Sequence, residues 1–220
     1  MICEAKLIAL TQPVISTPAG SPEELIALCA RVSSGKEYST RGEDYEGLLK
    51  YCVRNKHWSV FEMVNAVVEV KAPRDITRQL LRHRSFSFQE FSQRYSDNIE
   101  FTTRDVRRQD TKNRQNSVDD LPAHVDLNSR FYINDAIEEA KKLYDYLRTN
   151  KVAKECARVV LPEGLTVSTL YVNGTLRSWI HYLEVRDDPG VTQWEHVLLA
   201  REIKKALVPA FPKVMGLVDE

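Results

Sequence analysis

The sequence predicts a single α+β domain in which a central, mostly antiparallel twisted sheet is flanked by helices. Three observations lead to that expectation. The chain has 220 residues, 43% of them hydrophobic, which suffices for one substantial core. Segments 5–10, 64–70 and 166–172 carry strand patterns, and the stretches between them show helical periodicity. No internal repeat or low-complexity tract divides the chain.

Taken in order, residues 5–10 (AKLIAL) form the first strand, closed by Pro13, Pro18 and Gly20. Ser21, Pro22 and Glu24 make a capping box for a helix whose apolar face is Leu25, Leu28, Cys29 and Val32, ended by Ser33, Ser34 and Gly35. Tyr45, Leu48, Leu49, Cys52 and Val53 predict a second helix from about Glu43 to Lys56. His57 follows it, either as a ring facing a ligand or as a histidine favoured at the negative end of the helix dipole. Ser59 to Glu62 caps at most one turn before the strand of Val64, Ala66, Val68 and Val70. Pro73 breaks that strand, and a helix from about Arg74 aligns Arg74, Arg78 and Arg82 in one stripe.

Residues 102–128 have almost no apolar period and read as a long polar loop, either a lid over a bound anion or a solvated segment. Ile133, Ala136, Ile137, Ala140, Leu143, Tyr144 and Leu147 predict the longest helix, from about Ser129 to Asn150, a scaffold element. A shorter helix over Ala153 to Leu161 stops at Pro162 and carries Arg158 among apolar neighbours, where it needs an acidic or phosphate partner. The strand Thr166 to Val172 leads to an Asn173-Gly174 turn signal, then to a helix with Arg177, His181 and Glu184 on its polar side and Arg186 in its last turn. A final helix, about Val191 to Leu207, buries Trp194, Val197, Leu198 and Ile203, and a Pro-containing tail follows.

The chemistry concentrates in residues 82–95, Arg82-His83-Arg84-Ser85-Phe86-Ser87-Phe88-Gln89-Glu90-Phe91-Ser92-Gln93-Arg94-Tyr95. Guanidinium groups at this density need anions, and the three phenylalanines anchor the backbone in a core. Thirty-one basic side chains balance thirty-one acidic ones, so the whole-protein field draws in neither nucleic acid nor an anionic membrane. Any anion site is therefore local. The histidines at 57, 83, 124, 181 and 196 lack metal-ligand spacing, and no Gly-rich dinucleotide or phosphate loop exists. Cysteines 3, 29, 52 and 156 contain no C-x-x-C pair and read as reduced, buried packing thiols. With no signal segment and no membrane span, the expected location is the cytoplasm. Beside Arg94, Ser92 is better placed to donate to a phosphate than to act as a nucleophile. A nucleotide together with a second phosphorylated ligand fits the arginines best.

These residues also resemble a family. Arg82-His83-Arg84, seven residues and then Ser92 is similar to the R-H-R-x7-S signature of flavin-dependent thymidylate synthases. His57-Trp58-Ser59-Val60-Phe61-Glu62, Ala30-Arg31-Val32-Ser33 and Ala157-Arg158-Val159-Val160-Leu161-Pro162 resemble three further family segments, and Arg177 and Arg186 keep the separation of a fourth. The likeness covers nearly the whole chain in the family's order.

The resemblance implies a homotetramer whose active sites are each assembled from several subunits. It implies that Ser33, Ser59, Glu62, Arg82, His83, Arg84, Glu90, Arg177 and His181 hold flavin adenine dinucleotide (FAD). Gln79, Arg82, Glu90, Phe91, Ser92, Gln93 and Arg94 would bind deoxyuridine monophosphate (dUMP), its phosphate meeting Ser92, Arg94 and Arg158. Arg186 would face the uracil as the catalytic residue, and His57 and Tyr95 would lie near the flavin and folate pocket. Two departures stand out: Thr175 occupies a position where many members have asparagine, and Asp187 to Thr192 lacks a histidine that some members place near the flavin.

The implied reaction is reductive methylation of dUMP to dTMP, with 5,10-methylenetetrahydrofolate as one-carbon donor and FAD relaying hydride from NADPH. The residue types suit it. No cysteine has a recognisable reactive setting for attack on the pyrimidine, whereas a guanidinium such as Arg186 can stabilise the anion that forms when N3 loses its proton. The competing reading is a single-stranded nucleic-acid-binding module with Phe86, Phe88 and Phe91 as stacking platforms. A third is an inactive flavin-binding protein on the same fold.

Overall fold

The structure is a computed structural model that describes residues 1–14, 17–33, 35 and 45–218. In chain order its first half contains β1 (Glu4–Leu10), α1 (Pro22–Val32), α2 (Glu46–Arg54), a 3-10 helix over Trp58–Met63, β2 (Asn65–Pro73), α3 (Arg74–Leu80) and β3 (Ser87–Glu90). The hairpin β4 (Arg108–Gln109) and β5 (Ser117–Val118) follows, then α4 (Ala123–Thr149), α5 (Lys154–Ala157) and a 3-10 turn at Arg158–Val160. The chain closes with β6 (Val167–Thr175), α6 (Leu176–Arg186), α7 (Trp194–Leu207) and α8 (Pro212–Leu217).

Four strands pair antiparallel in the order β1-β2-β6-β3, as the α+β expectation requires. Alternation sets the faces. Ala66, Val68, Val70 and Ala72 of β2 oppose Gly174, Val172, Leu170 and Ser168 of β6, and all of these are buried. This face receives α3, α6 and α7, whose Ile76, Leu80, Trp179, Leu183, Leu199 and Ile203 complete the core. On the opposite face Lys6, Glu69, Tyr171 and Gln89 lie in register across all four strands, with Tyr171 43% exposed.

Several local expectations are redrawn by packing. Ser21 caps α1 by accepting from the Glu24 N–H at 3.1 Å, as the capping box requires. The core, however, takes Ile26 and Ala27, and Val32 is 84% exposed. The cause is Glu23, on the same stripe, whose carboxylate is drawn inward to accept from the backbone N–H groups of Lys213 and Val214 at 2.9 and 2.8 Å. Those contacts cap α8, so the tail is a packed helix that buries Val214, Met215 and Leu217. The expected start of α2 at Glu43, and Ser34, lie outside the described residues.

Asn173-Gly174 is not a turn: both residues continue β6, paired with Val67 and Ala66. Glycine is required there because the Phe86 ring lies on it, and a Cβ would stand 2.2 Å from Phe86 Cδ1. The polar stretch 102–128 contains the β4–β5 hairpin, and α4 begins inside it, at Ala123. Helix α4 buries only Ile137 and Tyr144, while Phe131, Tyr132 and Tyr146 are each at least 65% exposed. Of the four thiols only Cys52 is buried, and Cys156 is exposed, because α5 lies at the surface.

Candidate active site

The site is built where α3 ends and the chain turns back into the sheet. Phe86 fixes that return by packing its ring on Trp179, centroids 4.4 Å apart, with Phe88 and Tyr182 edge-on at 6.1 and 6.0 Å. Phe86 is 7% exposed and Phe88 and Phe91 are half-buried, so these rings are core anchors and offer no open stacking surface. Arg82 and Arg84, in the turn just before Phe86, are exposed. Neither guanidinium, nor that of Arg158, has a hydrogen-bonding or ion-pair partner among the described residues.

Gln79, Arg82, His83 and Arg186 line one cavity of about 630 Å³, together with Gln115, Val191, Thr192 and Gln193. Arg186 Nε donates to His83 Nε2 at 2.9 Å, and the imidazole meets the Tyr182 ring edge-on at 5.2 Å. Burial, reinforced by the charges of Arg186 and His181, lowers His83 to about 4, so the ring is neutral at pH 7 and accepts with Nε2. Burial also lowers the Arg186 pKa, which reflects a guanidinium poorly served by solvent.

Two further clefts hold other expected residues. Arg177 and His181 line one of about 260 Å³ with Trp58, Ser85, Ser178, Ile180 and Glu184, and Arg177 is paired with Glu62. Ser33, Ser59 and His57 line another of about 320 Å³ beside Arg31 and Tyr51. His57 both ends α2, its N–H donating to Cys52 O at 2.8 Å, and sets its ring against Tyr51 at 5.5 Å. Thr175 caps α6, accepting from the Ser178 N–H at 3.2 Å, and Asp187 accepts from Arg201 Nε at 2.7 Å.

Ser92, Gln93, Arg94, Tyr95 and Arg158 line none of these three spaces. They gather where the chain leaves β3 and meets α5: Arg94 pairs with Glu155 at 3.3 Å, and Lys154 Nζ donates to Tyr95 O at 3.0 Å. Gln93 is 6% exposed, yet its Nε2 has no partner among the described residues. The backbone N–H of Phe91 donates to Thr169 O at 2.9 Å, extending the sheet to the edge of this cluster. Another cleft of about 630 Å³, between the 105–121 segment and the start of α4, contains no residue expected in a site.

Glu90 is clasped rather than free. Ser168 Oγ donates to its Oε1 at 2.9 Å, Arg74 lies 3.4 Å from that oxygen, and Arg78 reaches Oε2 at 3.3 Å while donating to Glu163 at 3.0 Å. Arg74, lowered in pKa by burial, was expected only as part of a basic stripe, and Ser168 was not expected at all. Gln193 and His196, which bond to Gln79, were also missed. Ser168, Gln193 and His196 are neutral and carry no spacing signal.

No group of three or more His, Cys, Asp or Glu side chains among the described residues is placed to hold a metal ion. No helix among them is long and apolar enough to cross a membrane.

The site residues come with a consistent set of relatives. Residues 14–213 match the family described as "Thymidylate synthase complementing protein". The flavin-dependent thymidylate synthase of Synechocystis sp. is 45% identical over 98% of this chain and 99% of its own. A probable flavin-dependent thymidylate synthase of Paramecium bursaria Chlorella virus 1 is 44% identical over 98% of each. Among solved structures, a UMP/dUMP methylase, PolB, from Streptomyces cacaoi, bound with 5-Br UMP, superposes with a TM-score of 0.78 at 26% identity, covering 98% of this chain and 93% of that one. With the R-H-R-x7-S stretch, the convergent arginines and matches along nearly its entire length, the chain belongs to the flavin-dependent thymidylate synthase family.

Proposed function

We propose that the protein, a single domain acting as a homotetramer in the cytoplasm, methylates dUMP to dTMP. When bound, FAD supplies the hydride, NADPH restores it, and 5,10-methylenetetrahydrofolate supplies the one-carbon unit. The observation that carries the reading is Arg186: a half-buried guanidinium oriented by a neutral histidine, in a cavity it shares with Arg82 and Gln79.

Among the described residues only Arg186 Nε finds a partner, which leaves its terminal nitrogens to meet a pyrimidine. A cation held in poorly solvated surroundings stabilises charge that develops nearby more than one in water does. Arg186 thereby lowers the cost of removing the uracil N3 proton and enriches C5 with electrons. Because His83 is neutral, it orients Arg186 without cancelling its charge.

The residues fit both ligands. Arg82 and Arg84, unpartnered among the described residues, would meet the flavin's phosphates, while His83, Arg177, His181, Ser33, Ser59 and Glu62 would hold the remainder of the cofactor, with Trp58 and Ile180 as the apolar wall beside Arg177. Arg158, unpartnered among the described residues, the Ser92 hydroxyl and Arg94 meet the nucleotide phosphate, and Gln93 Nε2, a buried donor with no partner among the described residues, awaits an acceptor. Glu90, with Phe91 behind it, holds Arg74 and Arg78 at the junction. His57 and Tyr95 serve the folate side. The separation of the Ser92 cluster from the Arg186 cavity within one chain supports a site shared between subunits, as do the exposed Phe131, Tyr132 and Tyr146 of α4.

The test is direct. Purified protein is expected to be yellow, to bleach on NADPH and to release tritium from 5-tritiated dUMP only when folate is present. Arg186→Ala is expected to keep its flavin while kcat falls about 10²–10³-fold. Colourless protein, or unchanged turnover in that variant, refutes the proposal.

A further inference from the structure

Behind the Arg186 cavity runs a hydrogen-bonded chain that links segments distant in sequence. Gln79 Nε2 donates to Gln193 Oε1 at 2.7 Å, and Gln193 Nε2 donates to Glu195 Oε2 at 2.9 Å. On the other side Gln79 Oε1 lies 3.2 Å from His196 Nδ1, and His196 Nε2 lies 3.2 Å from the Tyr182 hydroxyl. Glu195, 4% exposed, is paired with Arg107, whose Nε donates to Ser117 Oγ at 2.9 Å. His196 and Tyr182 are completely buried.

A glutamine amide can be turned end for end, and a neutral imidazole can carry its proton on either nitrogen, so most members of this chain have no intrinsic direction. Glu195 does. Burial alone would raise its pKa, but the hydrogen bond from Arg107, with those from its own backbone and Gln193, outweighs burial and holds it below the usual carboxylate range. An ionised carboxylate only accepts. Gln193 must therefore point Nε2 at Glu195 and Oε1 at Gln79. Gln79 must give Nε2 to Gln193 and turn Oε1 to His196. His196 must carry its proton on Nδ1 and accept from Tyr182 with Nε2; burial, with the charges of Arg186 and His83, lowers its pKa to about 3, which keeps it neutral.

We infer that Glu195 is a positioning residue that fixes, through Gln193, which way the Gln79 carboxamide faces the cavity, and His196 takes its tautomer from Gln79. One N–H of Gln79 and one lone pair of its oxygen remain for a ligand, in a set arrangement beside Arg82 and Arg186. A locked donor–acceptor pair matches one pyrimidine edge and mismatches another. Uracil presents acceptor, donor, acceptor at O2, N3 and O4, whereas cytosine presents acceptor, acceptor, donor. The chain thus selects uracil over cytosine nucleotides, an assignment that rests on the proposal that the cavity receives the base of dUMP. It also gives residues 102–118 a structural role: Arg107 tethers that segment to the site, and Gln115 lines the cavity.

The test substitutes one atom. In Glu195→Gln the amide oxygen stays toward Arg107, which can only donate, so the new NH2 faces Gln193 and the chain satisfies its bonds in the reverse direction. Long-range proton–nitrogen spectra of histidine-labelled protein are expected to show His196 as the Nδ1–H tautomer in the wild type and as the Nε2–H tautomer in Glu195→Gln. The KM for dUMP is expected to rise about tenfold, one net hydrogen bond, with a smaller change in kcat. The dUMP over dCMP preference falls by a similar factor. Glu195→Asp, which keeps the charge, is expected to retain the tautomer. A wild-type His196 in the Nε2–H form overturns the inference whatever the variants do, and so does an unchanged dUMP to dCMP ratio in a folded Glu195→Gln. Failure of the wild type to turn over dUMP would instead sink the proposed function and leave the tautomer result standing.

Discussion

Gly174→Ala probes the contact that seats the R-H-R stretch on the sheet. A Cβ at this position would lie 2.2 Å from Phe86 Cδ1 and 2.4 Å from Cε1. Carbon atoms pack favourably at about 3.5–4.0 Å, so the ring would have to retreat by more than about 1 Å. It has little room, because Trp179 lies 4.4 Å away on centroids and Tyr182 and Phe88 flank it. Overpacking of this kind costs about 1–3 kcal/mol, more than the roughly 0.4–1 kcal/mol that alanine returns by restricting the unfolded chain. The net cost of roughly 1–2 kcal/mol corresponds, for a chain of this length, to a loss of about 2–8 °C in Tm, read by circular dichroism at fixed protein concentration. Displacing Phe86 also disturbs the backbone of Arg82 to Arg84, so flavin retention should fall with Tm. The double variant Gly174→Ala, Phe86→Leu should recover part of the loss, as expected of residues in contact. A Tm for Gly174→Ala equal to or above that of the wild type would refute the steric argument.

Two other predictions concern the site. Ser92→Ala is expected to raise the KM for dUMP several-fold with kcat nearly unchanged, since the hydroxyl positions phosphate and takes no part in bond making; a collapse of kcat at saturating nucleotide would overturn that role. His83 and His196 fold with pKa values lowered to about 4 and about 3 from an ordinary 6.5, burial being the main cause in each. The unfolded chain therefore binds more protons below about pH 6.5, so their contribution to stability is complete above that pH and is lost as pH falls toward the folded values. Tm measured from pH 8 to 4 should fall on the acid side, and His83→Gln should flatten that fall; an unchanged slope would contradict the depressed pKa.

Much of the molecule was legible from local pattern. The Ser21 cap, the alternation of β2, the break at Pro73 and the amphipathic α6 depend on a few neighbouring residues, and each stands where the pattern put it. The misplacements share a cause. Val32 fits a helical stripe yet is exposed, because Glu23 is drawn inward by the N-terminus of α8 nearly two hundred positions away. Asn173-Gly174 carries a turn signature, yet β2 pairs it into a strand and Phe86 covers the glycine. Helix α4 begins earlier than its apolar period, since only a narrow seam of it meets the core.

For the site, the sequence alone determined where arginines concentrate and in what order, because the clustered arginines, a signature histidine and their spacing are properties of the chain itself. Tertiary structure decided how they are used. It left Arg82, Arg84 and Arg158 without partners among the described residues, closed Arg74 and Arg78 around Glu90, set a neutral His83 against Arg186, and parted the Ser92 cluster from the Arg186 cavity. It alone aligned Arg107, Glu195, Gln193, Gln79, His196 and Tyr182. Hydrogen bonds form wherever folding brings a donor to an acceptor, and that meeting is written in no single stretch of the chain.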